Sequence, residues 1–212
     1  MKTRWFLPLA AAALLFAGAA HAQVLGQFTG AETLPVNGHM MGAYLHSSQN
    51  VVGLLGQLRM SFYPDVDFGF QGGLSRQQFE SSDRTTVTLG ADLKYAVAKP
   101  SERLPLAIAI GGALALETGD DLSLITLGPT AVASHTFMTG TSSSITPYFG
   151  IGVMFMNADA ANNKSSDLSM PLRFGGDFRI TPQVDVVGEL QVRVSDDFND
   201  DVGFSVGVNL PF

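Results

Sequence analysis

The stretch Pro105-Leu106-Ala107-Ile108-Ala109-Ile110-Gly111-Gly112-Ala113-Leu114-Ala115-Leu116-Glu117 decides the fold. Leu106, Ile108, Ile110, Leu114 and Leu116 fall on one face, with Gly112 the gap. Ala107, Ala109, Gly111, Ala113 and Ala115 fall on the other. Large apolar side chains at a period of two mark a β-strand, whereas a helix would scatter them around its circumference. The pattern recurs along the chain. Val52, Leu54, Leu58, Met60 and Phe62 oppose Gln57, Arg59, Ser61 and Tyr63. Val87, Leu89, Ala91, Leu93, Tyr95 and Val97 oppose Thr88, Gly90, Asp92, Lys94 and Ala96. In 168–180 the apolar face stands against Ser169, Arg173, Asp177 and Arg179, and in 184–195 against Asp185, Glu189, Gln191 and Arg193.

Alternation alone does not say which face meets water. A soluble sandwich buries its leucines; a membrane barrel turns them to lipid and its charges to the lumen. Two features favour the barrel. The strands run to about 10–13 residues, the length of a tilted membrane crossing, where soluble strands average about 5–6. The polar faces are also crowded with Gly, Ala, Ser and Thr, which suits a narrow interior. Mean hydropathy is +0.21, yet after residue 22 no run of about 18 apolar residues exists for a membrane helix.

A third feature is the end of the chain. Val202, Phe204, Val206, Val208, Leu210 and Phe212 form an unbroken apolar face. This last strand resembles the closing strand of bacterial outer-membrane proteins. The resemblance implies that Phe212 is the signal read by the outer-membrane assembly machinery; Pro211 departs from the commoner pattern. As architecture, 38–212 is similar to the small OmpA-like and OmpW-like barrels. That implies an all-β, closed, antiparallel, up-and-down transmembrane β-barrel in the bacterial outer membrane, in contact with the lipid bilayer and lipopolysaccharide.

The N-terminus reads as an export signal: a basic start with Lys2 and Arg4, an apolar run from Trp5 to Ala20, and small residues at Ala20 and Ala22. Cleavage after Ala22 is expected, with an uncleaved anchor as the alternative. Residues 23–37 are assigned to a periplasmic N-terminal tail or a partial plug. No cysteine is present among the 212 residues, which excludes disulfides, thiolate chemistry and Cys-ligated metals. The net charge is −7, and losing Lys2 and Arg4 lowers it by two more, so nucleic acid is not an expected partner.

Ten strands are predicted near 38–47, 51–63, 67–80, 84–97, 105–117, 121–137, 145–157, 168–181, 184–195 and 201–212. The irregular first segment leaves nine as a variant, and merging two segments leaves eight. Segment 121–137 breaks phase at Leu124-Ile125 and carries Pro129, which predicts a bulge. Turns at 64–67, 99–103, 139–144 and 181–183 are placed at the periplasmic end. The acidic connections 81–83, 118–121, 157–167 and 196–201 are placed as outward loops.

A barrel of this size has room for side chains and little else. Arg59, Lys94, Arg173, Arg179 and Arg193 are expected in the lumen with Asp67, Asp92, Asp177, Asp185 and Glu189, a balance that suits a paired network. Two functions follow: a structural or surface-interaction barrel filled by paired charges, or a narrow porin-like channel for small solutes between small residues such as Ala107, Ala109, Gly111, Gly150 and Gly152. An enzyme is not expected. After residue 22 the only histidines are His39, His46 and His135, none in a catalytic motif, with His46 read as a rim residue. No cofactor is implied. Asp196, Asp197, Asp200 and Asp201 are weak candidates for a divalent cation, in a spacing that matches no calcium loop.

Overall fold

The computed structural model describes residues 26–49, 51–78, 83–119, 122–160, 163–195 and 201–212. The segments are β1 (His39–Ser48), β2 (Val51–Tyr63), β3 (Val66–Gln78), β4 (Asp83–Ala98), β5 (Ala107–Gly119), β6 (Leu122–Ser134), β7 (Phe137–Met138), β8 (Ser144–Gly152), β9 (Met154–Ala160), β10 (Asn163–Thr181), β11 (Val184–Ser195) and β12 (Asp201–Pro211). Each pairs antiparallel with its neighbours, and β1 pairs with both β2 and β12, so the sheet closes. β8 and β9 occupy one wall position between β6 and β10, and β7 is a two-residue ribbon against β8. The wall therefore has ten strands, not eight or nine.

Alternation places the side chains as the period demands. Leu54, Leu89, Leu116, Phe155 and Phe204 are exposed on the outside, and Gln57, Arg59, Thr88, Lys94, Glu117, Arg173 and Glu189 are buried inside. A continuous exposed apolar belt around a polar interior is the inverse of a soluble domain. The weakly patterned β1 obeys the same rule, with Met40 inward and Met41 outward.

Two expectations are corrected. No bulge breaks 122–134: β6 keeps one register with β5, from Gly119↔Leu122 to Ala107↔Ser134. Leu124 is an inward leucine, so the hydrophobic alternation fails there while the backbone alternation does not. The register shifts lie instead beside the turns, at Met60/Tyr63, Ala96/Ala98 and Arg179/Thr181. Most of 157–167 is likewise hairpin, not loop: pairing continues from Ser169↔Met154 to Asn163↔Ala160. Apolar alternation stops where lipid stops, but the ladder does not.

The break between β8 and β9 has a chemical cause. Val153 N donates to Pro129 O at 3.0 Å, which makes these residues a hydrogen-bonded pair. Pro129 has no N–H to return to Val153 O. On the other side Gly152 stands opposite Pro171, which has none either. Two consecutive carbonyls thus face proline on both flanks.

Candidate functional site

The lumen holds a piece of the chain itself. Of the two places expected for residues 23–37, the described part from Gly26 to Leu34 takes the interior; 23–25 lie outside the described residues, as does the export signal. Phe28 and Ala31 are buried, and the segment carries no strand or helix. Its main-chain polar groups must still find partners, because irregular backbone at membrane depth is tolerated only when enclosed by protein.

The wall supplies those partners with side chains. Glu189 on β11 accepts from the N–H groups of Gln27 (3.1 Å) and Phe28 (2.9 Å). Gln71 on β3 donates to Gly26 O at 2.9 Å, and Asn209 on β12 donates to Phe28 O at 3.0 Å. Ser134 on β6 accepts from Ala31 N at 2.8 Å. Lys94 on β4 donates to Gly30 O at 3.0 Å and Glu32 O at 2.8 Å, and Asp67 on β3 accepts from Leu34 N at 2.9 Å. Successive contacts climb from the turns near Gly38 towards the middle of the barrel, so Gly26 is the deep end.

Phe28 is the centre of this arrangement. It has a φ of 53°, uncommon for a bulky residue. Its ring stacks on Tyr44 with centroids 3.8 Å apart and planes 15° apart. The Tyr44 hydroxyl donates to Gln57 Oε1 at 3.0 Å and contacts Asn209 Oδ1. Tyr44 lies flat across the β1–β12 seam, so a Cβ on Gly207, its partner in β12, would strike its ring and backbone. Tyr148 plays the same part on the far wall: it covers Gly175 and donates to Glu189 at 2.8 Å.

The expected charged residues fall into separate groups. Arg59 makes two bonds to Asp92, at 2.8 and 3.1 Å, and its Nε is 3.8 Å from Asp67, while Lys94 is 3.3 Å from the same Asp67 oxygen. This four-residue cluster on β2, β3 and β4 is buried apart from a little of Asp92. A planar guanidinium meeting a carboxylate twice is the strong form of the pair. Arg179 pairs with Asp185 at 2.9 Å at the mouth, where Asp177 lines the same cavity. Glu189 holds the segment. Arg173 and Arg193 are buried on the inner faces of β10 and β11.

Several inner residues were not foreseen from the sequence. Glu117 is buried in the lumen, at the end of the very stretch that decides the fold. Period two would have found it. Tyr44, Tyr148, Ser134 and Asn209 face inward by the same rule, but their roles depend on a segment with no period. His46, two residues from the loop end of β1, turns inward and is 8% exposed, with Nδ1 2.9 Å from Ser205 Oγ on β12. His39 stacks on Phe212 and His135 packs edge-on to Phe137. Asp196, Asp197 and Asp200 lie outside the described residues, as does the side chain of Asp201.

Among solved structures, the β-domain of the Bordetella autotransporter BrkA matches with a TM-score of 0.51 at 10% identity, covering 83% of this chain and 100% of that one. The fold is that of a bacterial outer-membrane β-barrel. A COG4313 outer-membrane channel from Pseudomonas putida F1 is also similar, with a TM-score of 0.48, 11% identity and coverage of 90% and 100%. So is the N-terminal β-barrel domain of Pseudomonas aeruginosa OprF, with a TM-score of 0.38, 11% identity and coverage of 84% and 98%. At such identities the likeness concerns the fold alone. No protein-family model and no curated protein matches the sequence.

Proposed function

We propose that this outer-membrane barrel is closed to solutes at rest and serves through its wall and loops, in a structural or surface-interaction role. The observation that carries this reading is the Gly26–Leu34 segment threaded through the lumen and bonded to wall side chains on five strands. The Arg59–Asp67–Asp92–Lys94 cluster supports it, because ion-paired side chains on three strands brace a narrow interior. On this reading residues 1–22 are removed on export, since a chain that enters from the termini end and points its N-terminal side inward has little room ahead of Gly26. The turns beside Gly38 and Phe212 face the periplasm, and the acidic loops face lipopolysaccharide.

The test is conductance of the refolded chain in a planar bilayer, with folding checked by heat-shifted gel mobility. Silence at rest is expected. Steady conductance would replace this reading with the narrow porin-like channel, for which the small inner faces of Ala109, Gly111 and Gly150 are the supporting feature.

A further inference from the structure

We infer that residues 26–34 are a displaceable gate, hinged at 35–38, over a bore that admits small polar solutes. The inference rests on the closed-lumen reading and adds movement to it. The two ends of the segment are held by different kinds of bond. At the hinge the contacts run backbone to backbone: Asn37 N to Ser61 O at 2.7 Å, Ser61 N to Gly38 O at 3.1 Å, and Gly38 N to Pro35 O at 2.7 Å. Above it the bonds run from main chain to the side chains of Asp67, Lys94, Ser134, Glu189, Asn209 and Gln71. Releasing the upper part breaks no strand ladder, and each side chain can exchange its partner for water in a wetted lumen.

The hinge and its surroundings suit a swing. Pro35 is followed by Asn37 at a φ of 64° and by Gly38. The segment's lower half is flanked by two cavities at the mouth. One, of about 380 Å³, borders Leu34, Pro64 and Ala107; the other, of about 390 Å³, borders Glu32, Thr136 and Asp185. The left-handed backbone of Phe28, kept in place by Glu189, Asn209 and Tyr44, is a conformation that release would relax.

What lies behind the segment decides what opening does. A small cavity of about 20 Å³ separates Gly26 and Gln27 from Ala109, Ala113 and Thr130. The wall there carries the small side chains of Ala109, Ala113 and Thr130 beside Arg59, Asp92 and Arg173, so withdrawing the segment joins this cavity to the mouth. The bore so formed presents neutral Gln57, Gln71 and Asn209, the pairs Arg59–Asp92, Lys94–Asp67 and Arg179–Asp185, and the inward-facing Arg173, Arg193 and Glu189. Cationic and anionic side chains both line this bore, which gives neither sign of ion the advantage, so small polar solutes and small ions of both signs pass.

The chain has no cysteine, which makes a cross-link readable. An ideal Cβ on Gly30 lies 3.1 Å from Ser134 Cβ, slightly closer than the roughly 3.5–4.5 Å of a disulfide, and a slight outward backbone shift brings the pair into range. Two proteins would be studied in KCl in a planar bilayer: Gly30→Cys/Ser134→Cys, reduced and oxidised, and the full chain lacking residues 26–34. The gate predicts rare openings in the reduced pair, at least tenfold less open time after oxidation, and sustained conductance from the deletion. Equal open time in the reduced and oxidised forms, zero included, overturns the gate, as does a folded but silent deletion. If the deletion does not fold, the cysteine pair decides alone. Steady conductance through the oxidised pair would instead sink the closed-lumen reading beneath it.

Discussion

At the scale of the residue, Glu189 is the informative position. It is 2% exposed, and its carboxylate is taken up by Gln27 N, Phe28 N and Tyr148 OH. A buried polar group that loses its partner costs roughly 1–3 kcal/mol. Glu189→Ala strands three donors at once, so the segment should loosen while the barrel persists. Hydrogen–deuterium exchange should show Gln27 and Phe28 amides exchanging at least tenfold faster, with the heat-shifted band of the folded barrel unchanged. Equal protection in the variant would mean the segment is held without Glu189. Period two shows that Glu189 points inward, and that much is legible in the sequence. Its partner is not, because residues 26–34 have no alternation and the contact spans 161 positions.

At the scale of the element, the wall follows its hydrophobic period wherever lipid lies outside. The reading of β2, β4, β5 and β11 needs only that rule. It falters where an inward residue is apolar, as Leu124 is, and where the ladder outruns the membrane, as in the Met154–Ser169 hairpin. Prolines act on bonding rather than on period. Pro129 and Pro171 withhold donors from Val153 O and Gly152 O, leaving a thin place between β6, β8 and β10. Pro129→Ala restores one donor facing lipid-side wall, and a hydrogen bond of this kind contributes about 1 kcal/mol. Urea unfolding in lipid vesicles should show stabilisation of that order. A variant no more stable than the parent would mean that Val153 O is already satisfied.

At the scale of the whole molecule, the inside-out distribution makes depth the governing variable. Leu89 lies mid-strand in β4 and is 60% exposed, whereas Tyr95 lies towards the turn end of the same face. An arginine on the lipid face of a barrel costs about 2–4 kcal/mol at the midplane and about 0–1 kcal/mol near the interface. Leu89→Arg should therefore lower unfolding stability in vesicles by a few kcal/mol, and Tyr95→Arg by little. Equal effects would contradict a membrane-embedded belt. The closed sheet is legible in the sequence because one short-range rule repeats around it; the filled interior is not, since filling joins residues remote in the chain. One consequence concerns the order of assembly. Phe28 touches Tyr44 of the first strand and accepts from Asn209 of the last, the two strands whose meeting completes the cylinder. The earliest-made stretch of the barrel thus carries, on its inner side, a docking point for the latest-made one. The final edges need not search for each other unaided: they are fastened from within, like a clasp already attached to one end of its chain.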